Sequence, residues 1–148
     1  MGLVTAIVCL VVAGAPCQDP PAAPNAPPSV SQFAISYERG GGFAAMPQAL
    51  KIKPGRRATV TVLDVHGRRR SVEFEVAAPK VKQLRAAAET ARIGEIAPPQ
   101  PGSCADCFLY TVTYRGETVS LEEVDVPARM RPLIDRAEAL IAAHLPFH

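Results

Sequence analysis

The sequence predicts an α+β domain, a mainly antiparallel sheet of about six strands with two helices packed on one face. Six segments read as strands, four of them by apolar residues recurring with period two, the mark of a half-buried strand. Two later segments space their apolar residues three and four apart, which is one face of a helix. The resulting order, ββββ-α-ββ-α, suits a two-layer sandwich. At 148 residues the chain has room for one core, not two. Its 48% hydrophobic content excludes a disordered bulk, and sixteen Lys+Arg against fourteen Asp+Glu leave only +2, which excludes a global field toward nucleic acid.

Residues 1–17 read as a signal peptide. The apolar run at residues 3–15 is thirteen residues long, short of the roughly 20 that span a bilayer but within the length of a secretory core. Met-Gly ahead of it carries no basic side chain. Ala13-Gly14-Ala15 has the small-x-small pattern of a cleavage site. Cys17 is the candidate lipidation site, although Pro16 stands where a lipoprotein signal has a small residue. Residues 18–32 hold five prolines and no apolar periodicity, which makes them an extended tether. Residues 33–148 are the single folded domain. The expected location is secreted or cell envelope, with membrane contact only through an N-terminal anchor.

Phe33, Ile35 and Tyr37 alternate with polar or small neighbours and form the first strand, stopped by Gly40-Gly41-Gly42. Residues 48–53 alternate through Leu50 and Ile52, and Pro54-Gly55 turns the chain. Residues 59–63 are rich in β-branched side chains. His66-Gly67 makes the next turn, and Val72, Phe74 and Val76 share one face of the fourth strand. The first helix carries Val81, Leu84, Ala88 and Ala91, with Ala78 as a poor cap, Pro79 in its first turn and Gly94 just past its end. Residues 97–103 form an irregular loop. Phe108, Tyr110, Val112 and Tyr114 line the fifth strand, and residues 118–122 return as the sixth. Met130, Leu133, Ile134, Ala137, Leu140, Ile141 and His144 trace the second helix, with Pro132 confined to its first turn.

Four features bear on function. Cys104 and Cys107 form a CxxC, which reads as a redox pair, half a zinc site or a structural disulfide. Zinc needs about four ligands, and the other candidates are scattered; a catalytic dithiol belongs at a helix N-terminus, whereas this pair precedes a strand. A local disulfide is the expected state after export. Lys51, Lys53, Arg56, Arg57, Arg68, Arg69 and Arg70 oppose Asp64 alone within residues 51–70, making either a solvated face or a patch for an anionic partner. Residues 39–47 combine Gly40, Gly41 and Gly42 with Phe43 and Met46, large apolar side chains that a loop either tucks in or presents to a partner. Glu122, Glu123 and Asp125 lie ahead of the second helix, where acids favour its positive end. His144 falls near that helix's last carbonyls, while His66 and His148 are isolated. The chain holds no nucleophile elbow, zincin pair or phosphate loop, so no catalytic set, metal or cofactor is expected.

The chain resembles the emfourin-like family, small proteinaceous inhibitors of thermolysin-type metalloproteases. The matching features are the first strand running into Gly41-Gly42-Phe43-Ala44 and the helix with Leu84 and its alanines. They continue with Pro98-Pro99-Gln100-Pro101, then Ala105-Asp106, the Phe108-x-Tyr110-x-Val112 strand, and Val126-Pro127 leading to Arg131-Pro132-Leu133. Together they cover about residues 35–145. The resemblance implies a non-enzymatic monomer that binds a protease without turnover. Gly41, Gly42, Phe43 and Met46 are the candidate contact residues, with Phe43 filling an apolar subsite. The export signal, the tether and Cys107 depart from the family pattern. The alternative expectation is a tethered cell-envelope interaction module that uses the basic patch and has no protease target; a thiol–disulfide enzyme is a third.

Overall fold

The computed structural model describes residues 32–42, 46–64, 66–97 and 104–145. The signal segment, Cys17, nearly all of the tether, Phe43 and His148 lie outside these residues. Six strands, β1 (Ile35–Gly41), β2 (Gln48–Ile52), β3 (Arg57–Leu63), β4 (Arg69–Glu75), β5 (Phe108–Tyr114) and β6 (Glu117–Glu122), make one sheet. Helix α1 (Ala78–Ala91) follows β4, and α2 (Arg131–Ala143) follows β6. All neighbouring strands are antiparallel in the order β4-β3-β2-β1-β5-β6. The expected α+β architecture is therefore present.

Side-chain alternation divides the sheet into a dry face and an open face. Across the middle row, Val72, Val60, Leu50, Tyr37, Val112 and Val119 stand opposite one another on the dry face. The helices cover this face with the stripes that their spacing predicts. Val81, Leu84, Ala87, Ala88 and Ala91 are buried on α1, and Leu133, Ile134, Ala137, Leu140 and Ile141 on α2. On the open face, hydroxyl pairs bridge adjacent strands: Thr61 with Ser71, Thr111 with Ser120, and Thr113 with Thr118, each at 2.9 Å.

Several local expectations are corrected. Strand β1 does not stop at Gly40 but runs through Gly41, because β5 pairs with it as far as Gly41 opposite Phe108. The cap of α1 is Ala77, one residue earlier than expected. That helix ends at Arg92, which takes the left-handed conformation (φ 48°) in place of a glycine. The chain then makes a tight turn at Ile93–Glu95 that buries Ile93, and Arg129 Nε donates to the Ala91 carbonyl at 3.0 Å, satisfying one of the open helix-end acceptors. Gly94 lies beside the Glu117 carboxylate, which would have to move for a side chain to fit there. The acids Glu123 and Asp125 occupy their own short turn, and the first turn of α2 contains no acid. His144 behaves as expected: its Nδ1 donates to the Leu140 carbonyl at 2.9 Å, and its ring also stacks on Phe74 with centroids 3.6 Å apart.

Candidate partner-binding site

The sheet order places the glycine-rich connection and the cysteine pair at one end of the molecule. Strand β1 lies between β2 and β5, so its last residues meet the start of both neighbours. Gly41 has φ +74°, and a Cβ there would stand 2.8 Å from the Cys107 carbonyl oxygen. Only glycine meets both requirements. The next residue, Gly42, donates its backbone N–H to that same carbonyl at 3.1 Å. A disulfide joins Cys104 to Cys107, with their Cα atoms 5.5 Å apart. Gly41 and Gly42 are the residues through which the first half of this connection is fastened to β5.

Of the two large apolar residues of the loop, only Met46 is among the described residues. Met46 is 38% exposed on the returning side of the connection, and Gly41 is also exposed, so neither is tucked into the core. Leu109, 44% exposed, stands on the open face directly opposite Gly40 in the β1–β5 pairing. A groove of about 810 Å³ continues from there down the open face, lined among others by Gly40, Leu63, Leu109, Glu38, Lys51 and Thr61.

A polar clamp on the dry face holds this end to α2. Arg39 Nη1 donates to Glu138 Oε1 at 2.8 Å, and Nη2 to Gln48 Oε1 at 3.1 Å. Tyr37 Oη donates to the same Glu138 oxygen at 3.0 Å. The Arg39 guanidinium also lies 4.8 Å from the centre of the Phe108 ring, a cation–π contact. No local pattern marks this group: Tyr37 and Arg39 share one strand face just before the glycines, but their partner Glu138 is 99 positions from Arg39. Tyr37→Phe removes a hydrogen bond to a charged acceptor and is expected to lower stability by about 2 kcal/mol in urea denaturation, leaving the Arg39–Glu138 pair in place.

Burial holds all three tyrosine phenols above their ordinary range. Tyr37 is shifted furthest, by desolvation first and then by the nearby Glu138 charge. Tyr110 and Tyr114 are raised by desolvation as well. A group whose pKa rises on folding stabilises the fold below its unfolded value and loses that contribution as pH climbs through the folded one. The chain should therefore be insensitive to tyrosine ionisation below about pH 10. Above it, phenolate absorbance should appear together with unfolding. Phenolate absorbance rising around pH 10 with the fold intact would contradict the burial described.

Three of the seven basic side chains in residues 51–70 are paired in the fold, two of them with the same carboxylate. Asp64 is buried in the β3–β4 turn and accepts the backbone N–H groups of His66 and Arg68 and the Nε atoms of Arg68 and Arg70. These donors, the Arg68 N–H foremost, hold its carboxyl below the usual range. Arg56 pairs with Glu75. His66 thus belongs to a turn built around Asp64. Among the described residues, no group of three or more His, Cys, Asp or Glu is placed to hold a metal ion, and no helix is long and apolar enough to cross a membrane.

No known family model matches the chain, and no curated protein matches it in sequence.

Proposed function

We propose that this chain is an exported, non-enzymatic binding domain that inhibits a thermolysin-type metalloprotease, using the end of the sheet around Gly41, Gly42 and Met46. The reading begins from the resemblance to the emfourin-like family. The observation that supports it is the fastening of the glycine edge. Gly41 and Gly42 are exposed or half-exposed, yet both are held against the Cys107 carbonyl beside a disulfide. An edge already held in place has less conformational freedom to lose when a partner binds. Bare glycine backbone lets a partner approach closely, and Met46 and Leu109 supply apolar contact area beside it.

The test is to add the purified chain to a set of thermolysin-type proteases and follow cleavage of a peptide substrate. Activity should fall in proportion to the inhibitor added and level off when sites are saturated, with the inhibitor chain remaining intact. Unchanged activity across the whole set would sink the proposal, as would simple digestion of the chain as a substrate. The tethered-module alternative rests on the basic stretch, where charge stays in excess: Arg56 pairs with Glu75, and Arg68 and Arg70 share the single carboxylate of Asp64.

A further inference from the structure

We infer that the oxidation state of the Cys104–Cys107 pair sets the geometry of the glycine edge, so that the contact surface is complete only in the disulfide form. The inference rests on the partner-binding reading for its functional consequence, but its structural half stands alone. Cys107 has two roles at once. Its sulfur closes the bridge to Cys104, and its carbonyl oxygen both receives the Gly42 N–H and sets the close approach that only Gly41 tolerates. The next residue, Phe108, is the partner of Gly41 in the sheet and lies under the Arg39 guanidinium. One covalent bond therefore orients the peptide group on which the loop's exposed glycines are hung.

The bridge is also within reach of reagents. Cys104 and Cys107 are half-buried, and Ala105 and Asp106 between them are exposed. A dithiol reductant balances the step. Its thiolate attacks one sulfur of the pair and forms a mixed disulfide, and the other sulfur leaves as a thiolate and is protonated. The reagent's second thiol then closes a disulfide within the reagent and releases the first sulfur as a thiol. The protein gains two electrons and two protons. Opening the bridge returns conformational freedom to residues 104–107, and the Cys107 carbonyl is no longer held toward Gly42. Such a domain would be weak as a binder under reducing conditions and competent after exposure to an oxidising compartment.

The test is amide hydrogen exchange on the full chain by NMR, first oxidised, then reduced with dithiothreitol, then reoxidised. The Gly42 amide should exchange about tenfold faster after reduction and regain protection on reoxidation, given the entropy that a short cross-link removes. The amides of Val60 and Val112, deep in the sheet, should not change and serve as the control for folding. The double variant Cys104→Ser/Cys107→Ser should match the reduced state. Equal protection of Gly42 in both states, with the bridge shown by mass to be open, would overturn the inference. So would loss of protection throughout the sheet, since the bridge would then hold up the fold rather than the edge. A parallel inhibition assay separates the two readings. If Gly42 responds but neither form inhibits any protease, the protease reading fails while the redox coupling stands. If both forms inhibit equally and Gly42 is unmoved, the redox coupling fails and the protease reading stands.

Discussion

Gly41→Val is expected to destabilise the chain by about 4 kcal/mol, while the same substitution one residue earlier is nearly neutral. At Gly41 two costs combine. The backbone sits at φ +74°, a region that β-branched residues adopt only under strain, and the new Cβ would meet the Cys107 carbonyl at 2.8 Å. A backbone carbonyl already bonded to Gly42 cannot swing aside without losing that bond. At Gly40 a Cβ meets nothing within 4 Å, and the backbone is ordinary strand. Chemical denaturation of the two variants side by side makes the comparison. Equal losses at both positions would mean that neighbouring glycines are interchangeable here, contrary to the pairing described. Under the proposed function, Gly41→Val should also abolish inhibition in a chain that is still largely folded.

Leu50→Ala should cost about 3–4 kcal/mol, from lost burial together with the cavity left behind. Leu50 has no exposed surface. It stands in the middle row of the sheet, between Tyr37 and Val60 on the adjacent strands, and β2 lies against α2. With helix above and strands on both sides, the neighbours have little freedom to close the gap. Val72→Ala offers the contrast, since β4 is an edge strand and Val72 is only half-buried. There a loss of about 1 kcal/mol is expected. Midpoints in urea for the two variants give the comparison directly; a smaller loss at Leu50 than at Val72 would contradict the layer arrangement.

The elements were legible because their signals are local. Alternation in residues 33–37 and 108–114 and the three-and-four spacing of Val81, Leu84, Ala88 and Ala91 each report one buried face, and each lies on the covered side of the sheet. Element ends were less legible, because distant residues decide them. Arg92 could take the left-handed position where a glycine was expected, and Arg129 supplies the missing acceptor satisfaction from across the fold. Strand β1 continues through glycines because β5 supplies its ladder. The candidate site was half visible. Gly41, Gly42 and Met46 stood out by composition, and Cys104 and Cys107 by spacing. Their meeting at one end follows from the insertion of β5 next to β1, which no local pattern announces. The Tyr37, Arg39 and Glu138 clamp was hidden for the same reason, since its strand and helix are far apart in sequence.

Under the proposed function, a pre-fastened glycine edge meets the cleft of a thermolysin-type metalloprotease. Backbone amide shifts of the labelled chain, recorded as that protease is titrated in, measure it most directly. Gly41, Gly42, Met46 and Leu109 should shift or broaden first and most, and blocking the protease cleft with a small active-site inhibitor should prevent it. Perturbations confined to the basic β3–β4 turn, or a spectrum unchanged at excess protease, would contradict it.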